Sequence, residues 1–432
     1  MLSAFRNAFK VPDLRNKILF TLLVIAVYRL GCHIPLPGVQ PDKIKAIEDA
    51  AKNNQGVYTL INLFSGGALT KFAIFALGIM PYITSSIIMQ LLTVVIPRLE
   101  ALQREGEVGQ RKITQYTRYM TVVLALLQSL GIVVTANNGA LFSSGGQGIR
   151  DIFGTLTVGR TFLIVLTLTA GTSLIMWLGE AITQRGIGNG MSLLIFASII
   201  SSLPTNATSL WASAGPLKGT VFIALGIAIV LTVVIVEQAQ RRVPVQYAKR
   251  VVGRKTYGGA STYIPMKVNQ AGVIPIIFAS SLLYLPVLAA TIVQNTGFKN
   301  FVQNHFARGA SPWYVATYFV LIIFFTYFYT AITFNPTDVA DNMKKYGGFI
   351  PGIRPGRPTA EYLDFILTRI TLPGAIFLGL IAVLPFIAQG AWNVTSFPFA
   401  GTAVLIMVGV GLETMKQIES QLMQRHYEGF LK

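Results

Sequence analysis

The sequence predicts an all-α polytopic membrane protein of ten transmembrane helices, and three observations predict it. Eight stretches contain no Lys, Arg, Asp or Glu: 72–97, 119–149, 161–179, 186–217, 219–236, 268–298, 309–337 and 370–412. Of the 432 residues, 53% are hydrophobic and only 12% charged, the composition of a polytopic membrane protein. The cations gather on one side of the uncharged stretches. A helix needs ~20 apolar residues to cross ~30 Å of hydrocarbon, and several stretches are longer than that. A helix at the edge of a soluble core keeps one polar face. These segments have none, so lipid is their natural solvent.

Taken in order, the expected spans are 18–36, 72–97, 114–136, 155–178, 189–204, 217–236, 268–292, 312–335, 366–388 and 397–415. The first apolar run, Ile18–Gly31, ends in Cys32-His33-Ile34-Pro35 without a small-residue cleavage site, so it is read as a retained span. Arg29 lies inside it and is expected to snorkel toward an interface. Ten spans place both termini on one side. That side receives 25 of the 35 Lys and Arg residues, the other side nine, and Arg29 completes the set. The positive-inside rule therefore places both termini in the cytoplasm. Five spans precede the middle of the chain and five follow it, which permits an inverted repeat, although the halves share no residue-level similarity.

What the spans lack narrows the function. The acids near them, Glu180, Glu237, Glu361, Asp364 and Glu413, all fall at expected cytoplasmic ends, which argues against a proton relay. The chain has no H-E-x-x-H, no G-x-S-x-G and no paired intramembrane aspartates, so no enzyme is expected. No G-x-x-x-x-G-K-[ST] is present, so nucleotide energy would come from a partner. His33, His305 and His426 are scattered without metal-ligand spacing. No metal or cofactor is expected. The single cysteine, Cys32, reads as a small apolar core residue. A passage that needs no internal charge chemistry and is driven from outside fits this pattern.

Three local patterns within and beside the spans add detail. Residues 58–78 read YTLINLFSGGALTKFAIFALG: a short apolar segment meets Ser65-Gly66-Gly67, then Lys71. Such a segment, tethered at a glycine hinge, could re-enter the bundle from outside, or it is an ordinary external loop. The second span carries Ile79, Ile83 and Ile87 on one face, with Thr84, Ser85, Ser86 and Gln90 and a kink-permitting Pro81. Its polar groups favour a position against other helices. A ring of branched apolar side chains closes a pore by dewetting, and the same isoleucines are equally suited to face lipid or fill a core. The seventh span opens with Asn269-Gln270 and holds Pro275, Ser280 and Ser281.

The two large cytoplasmic loops are the strongest local signals. Loop 237–267 interleaves Arg241, Arg242, Lys249, Arg250, Arg254 and Lys255 with Tyr247 and Tyr257. That alternation suits phosphate contact and base stacking, as on ribosomal RNA, and it also suits anionic lipid. The second loop reads FIPGIRPGRP over 349–358, where prolines and glycines build a rigid tip presenting Arg354 and Arg357.

At these residues the chain resembles the SecY/Sec61-alpha family of protein-translocation channel subunits. The carrying segments are IPLPGV (34–39), NLFSGGALTKFAIFALGIMPYITSSIIMQLL (62–92), EGEVGQRKITQYTRY (105–119), MWLGEAITQRGIGNGMSLLIF (176–196), QRRVPVQYAKR (240–250), KVNQAGVIPIIFASS (267–281), FNPTDVADNMKKYGGFIPGIRPGRPT (334–359) and the tail start at 411–420. The similarity runs over nearly the whole length, with the 137–154 and 293–311 external loops least alike.

The resemblance implies a protein-conducting channel of the bacterial cytoplasmic membrane. It implies two pseudo-symmetric five-helix halves around a central pore, 1–204 and 217–432, joined by an external hinge loop at 205–216. It implies a pore ring on Ile79, Ile83, Ile195, Ile277 and Ile406. A plug is implied over about 59–70, including Leu60, Asn62, Phe64, Ser65, Gly66 and Gly67. A lateral gate is implied between spans 2–3 and 7–8, with Thr84, Gln90 and Asn269 as polar candidates. Loops 237–267 and 336–365 match docking sites for the SecA motor ATPase and the translating ribosome. The implied small subunits are SecE and SecG, and the implied clients are unfolded, signal-bearing preproteins and membrane proteins released into lipid. A small-solute secondary transporter is the alternative from another class. It would need an intramembrane binding site, and only the Gly66-Gly67 break offers one.

Overall fold

The computed structural model describes residues 9–40, 43–44, 47, 64–137, 152–153, 157–247, 250–252, 255–257, 261–292, 296–302, 305–306, 311–392 and 401–429. Helix α1 (Pro12–Gly31) starts with Pro at its first turn, where a missing N–H costs nothing. Asp13 in the first turn and Arg29 in the last both complement the helix dipole. Its buried stripe, Leu14, Ile18, Thr21, Val24, Tyr28 and Gly31, follows helical spacing.

The second expected span, 72–97, is helical only from Met80. Residues 72–79 form turns, with Phe72 at φ 43° and Gly78 at φ 57°. The Leu36 amide donates to the Phe72 carbonyl and the Ile74 amide to the Ile34 carbonyl, pinning this buried stretch beside Ile34–Leu36. A Cβ on Gly78 would lie 2.9 Å from the Ser65 Cα, so two backbone segments pass here at a separation only glycine allows. The helix proper, α2 (Met80–Val95), ends at Ile96, which the following proline holds extended. The chain then bends by 99° into the short amphipathic α3 (Pro97–Arg104).

Long helices α4 (Glu107–Asn137) and α5 (Val158–Arg185) follow. Helix α6 (Gly190–Gln238) is capped by Asn189, whose side chain accepts from the amides of Met191 and Ser192. It covers two expected spans and the loop expected between them at 205–216. The backbone there is helical apart from one break at Gly215, φ 78° and ψ 168°.

A small β-sheet interrupts the helices. Strand β1 (Gln240–Tyr247) pairs antiparallel with β4 (Ser261–Lys267) from Gln240↔Lys267 to Gln246↔Ser261. Between them lie the short β2 (Arg250–Val252) and β3 (Lys255–Tyr257), which pair with each other. Helix α7 (Ile274–Ile292), short α8 (Thr296–Val302), α9 (Pro312–Thr333) and α10 (Pro336–Lys345) come next. Strand β5 (Gly348–Phe349) then joins the far edge of β1, giving the order β4-β1-β5. Helices α11 (Arg357–Trp392) and α12 (Gly401–Gly429) complete the chain.

Among the described residues five helices are long and apolar enough to cross a membrane, or six if the bent pair α2–α3 is one span. Two shorter apolar helices, Gly190–Pro204 and Ile274–Leu283, lie among them. Exposed Leu, Val, Ile, Phe and Trp side chains on α1, α4, α5, α6, α9 and α11 mark outward faces that suit lipid. Two extended apolar cores fill the interior, and a smaller third one sits under the β4-β1-β5 sheet.

Candidate functional site

The site begins with the placement of five isoleucines. Ile79 precedes the first turn of α2 and Ile83 lies one turn on. Ile195 is on α6, Ile277 on α7 and Ile406 on α12. Ile79, Ile195 and Ile406 are buried in one apolar cluster, and Ile83 and Ile277 pack against it. Residues spread over more than three hundred positions thus share one cluster, with Val24 and Tyr28 of α1 and Cys32 just beyond its end.

Phe64 and Ala68, from the segment expected to act as a plug, belong to the same cluster. Phe64 and Ser65 are fully enclosed. Gly66 and Gly67 both take positive φ, 63° and 85°. On the far side of these glycines the Thr70 hydroxyl donates to the Gly67 carbonyl at 2.9 Å. Leu60 and Asn62 lie outside the described residues.

Arg29 does not snorkel outward. Its Nη1 donates to the Gly66 carbonyl at 2.9 Å. One residue before it, the Tyr28 hydroxyl bonds the Ser198 hydroxyl of α6 at 2.7 Å, and the Cys32 thiol lies 3.7 Å from the Ser65 carbonyl. Spacing along the sequence could not reveal this, because Arg29 and Gly66 are 37 residues apart.

The three polar gate candidates are not brought together. The Thr84 hydroxyl donates to the Met80 carbonyl on its own helix at 2.8 Å, and Gln90 is exposed. Asn269 is buried. Its Nδ2 donates to Glu237 Oε1 at 2.6 Å and to the Gly272 carbonyl at 3.1 Å. The sequence marked Asn269 as a polar group near the start of the seventh span but missed Glu237 as its partner. Helix α7 nevertheless touches both α2 and α4. The Ser85 hydroxyl ties α2 to the Thr117 carbonyl of α4 at 2.7 Å. Arg118 binds both carboxylate oxygens of Glu180 at 2.8 and 2.6 Å, joining α4 to α5.

On the sheet, Arg241 and Arg242 are exposed on β1, and the Arg242 guanidinium lies 4.8 Å from the centroid of the Tyr263 ring. Arg250 and Lys255 fall on β2 and β3, while Lys249 and Arg254 lie outside the described residues. Arg354 is exposed, and its carbonyl accepts from the Thr359 hydroxyl at 2.9 Å. Arg357 is exposed beside Glu361, at 3.0 Å. The loops read separately in the sequence form one unit here. Pairing of Gln246↔Phe349 and Tyr247↔Gly348 joins them, over a shared core of Val243, Val245, Met266, Met343, Ile350 and Leu363.

Apolar helices long enough for lipid, packed around apolar clusters and carrying a basic sheet at one end, define a multi-span α-helical membrane protein. The SecY family model matches residues 73–415. Protein translocase subunit SecY of Streptomyces galbus is 59% identical over 446 residues, covering 100% of both chains. That of Mycobacterium tuberculosis is 56% identical over 445 residues, again covering 100% of both. The chain belongs to the SecY family, a non-enzymatic family of protein translocase subunits. Its fold is similar to a solved structure described as "The structure of a protein conducting channel", with TM-score 0.64, 18% identity and 96% of each chain covered. It is also similar to Sec61 in the canine ribosome-channel complex from the endoplasmic reticulum, with TM-score 0.61, 17% identity and the same coverage.

Proposed function

We propose that this chain forms the channel of a bacterial protein translocase. It passes unfolded, signal-bearing polypeptides across the cytoplasmic membrane and releases apolar helices of membrane proteins sideways into lipid. The observation that carries the reading is the convergence of Ile79, Ile83, Ile195, Ile277 and Ile406 on one apolar cluster beside Phe64. Branched apolar side chains make a gasket that holds no fixed charge to trap a moving chain, and they keep out water when nothing fills the opening.

In this reading ten spans form two five-helix halves hinged near Gly215, with both termini cytoplasmic. The segment ending at Gly67 is the plug. Lateral release uses the seam between α2 and α4 on one side and α7 and α9 on the other. Interhelical hydrogen bonds in membranes average about 0.6 kcal/mol, so a seam closed mainly by side-chain packing and few polar contacts opens at modest cost. The joined cytoplasmic sheet, with Arg241, Arg242, Arg354 and Arg357 exposed, is the docking surface for the SecA motor or a translating ribosome. SecE and SecG would complete the complex. A relative in the family's fold, Sec61, is itself described in a ribosome-channel complex, which supports the docking reading.

The test replaces Ile83 and Ile195 together by Gly and measures ion conductance of the reconstituted complex in planar bilayers. The expected result is a raised leak without any client. Conductance equal to the unaltered channel would reject the ring.

A further inference from the structure

Arg29 is a cation inside the first span, and such residues are costly and usually functional. Among the described residues no carboxylate pairs with it, and its hydrogen bond goes to the carbonyl of Gly66 at 2.9 Å. The guanidinium therefore spends its directed donor on backbone rather than on an acid or the membrane surface. That backbone is the pivot of the plug. Gly66 and Gly67 are consecutive and both left-handed, at φ 63° and 85°. Beyond the pivot the chain is fixed by the Thr70 to Gly67 bond and by buried Leu69 and Phe72. Before it come Phe64 and Ser65, seated against the isoleucine cluster.

The fit around Gly66 is close. A Cβ there would lie 2.9 Å from Arg29 Nη1, 3.1 Å from Ser198 Cβ and 3.2 Å from Ser198 Cα. The pivot is thus clasped between α1 and α6, and the Tyr28–Ser198 bond at 2.7 Å locks those two helices together at the same level. Ser198 lies less than one turn beyond Ile195.

We propose that Arg29 is a positioning residue that latches the plug shut, by holding the Gly66 carbonyl against Ser198 until a client pushes the segment away. The proposal rests on the plug reading. A hydrogen bond from a charged donor to a partly buried carbonyl contributes ~1.5–3 kcal/mol, so losing it shifts the closed-to-open balance of the plug about 10- to 100-fold. A latch of this kind sets how often an idle channel opens and leaves the route of the client unchanged.

The experiment uses the full-length chain, reconstituted with its partner subunits, and reads ion conductance without motor or client. Three variants are compared: Arg29→Gln, Arg29→Lys, and replacement of residues 59–64 by Gly and Ser. The expected result is a leak in Arg29→Gln, a smaller leak in Arg29→Lys, which keeps the charge and one donor, and no further leak when Arg29→Gln is added to the 59–64 replacement. That last comparison separates a latch from a general structural role, because damage elsewhere would add. If Arg29→Gln fails to insert, Arg29→Lys alone and in the 59–64 background carries the same comparison. An unchanged leak in the Arg29 variants, with a leaky 59–64 replacement, would overturn the latch and leave the plug standing. Additive leaks would place the action of Arg29 elsewhere and overturn it too. A tight seal after replacement of 59–64 would remove the plug reading and the latch with it.

Discussion

Replacing Ile195 and Ile406 together by Ser is the perturbation whose size the structure best defines. Both side chains are enclosed, at 4% and 2% exposure, in a cluster shared with Ile79. A new hydroxyl on either helix has a ready acceptor one turn back, as Ser198 shows by donating to the Leu194 carbonyl at 2.9 Å. The hydroxyl is therefore largely satisfied, and the loss is apolar burial. Fully burying an isoleucine contributes ~1.5–3 kcal/mol, so one replacement weakens the closed ring by about 2 kcal/mol, roughly 30-fold in a two-state balance. The two sites are neighbours and do not add fully, which places the double variant at roughly 30- to 300-fold. The assay is single-channel recording of the reconstituted complex without client, against the volume-conserving pair Ile195→Leu and Ile406→Leu. A serine pair no leakier than the leucine pair would refute the argument that these residues seal the channel.

Three further outcomes follow from named contacts. Arg354→Glu is expected to impair motor-driven export while the protein still folds and inserts, because Arg354 is exposed; normal preprotein export by this variant would remove the docking role. A Cβ at Gly190 would lie 1.9 Å from the Gly179 carbonyl, so Gly190→Ala should push α5 from α6 and cost at least ~3 kcal/mol, read as a lost or sharply lowered thermal transition in detergent. Arg118→Leu leaves Glu180, with its side chain 17% exposed, without its partner; it should destabilise the protein by ~1–3 kcal/mol, and adding Glu180→Leu should restore most of that. A double variant no more stable than Arg118→Leu alone would show that the pair itself contributes little to the cost.

The parts of this fold legible in sequence are those governed by solvent preference. Uncharged runs announce α4, α5, α9 and α11 because lipid tolerates no unpaired polar group there. Residues 72–79 were misread for the same reason: hydropathy reports burial, and this buried stretch is turned rather than helical, held by Ile34 and Leu36. The hinge loop that the resemblance implies at 205–216 is helical apart from the break at Gly215, a conformation that the surrounding residue types do not announce. Of the site, residue types were legible and partners were not. Asn269 was marked as polar, but its bond to Glu237 depends on how α6 and α7 approach. Arg29 was marked as a charge in a span, but its acceptor is a backbone carbonyl that no residue type reveals. The union of the two basic loops rests on β1 pairing with β5 about a hundred residues later, a long-range ladder that local pattern does not encode.

The central claim is that a client passes through the middle of this chain. Cysteine chemistry tests it most directly, because Cys32 is the single native cysteine. Cys32→Ser is combined with Ile83→Cys, and the complex is reconstituted in liposomes with a motor-stalled preprotein carrying one cysteine. A disulfide between residue 83 and the client is the predicted result, since Ile83 packs against the isoleucine cluster. No disulfide, with the client still reaching the lumen, would place the passage elsewhere and reduce this chain to a docking subunit.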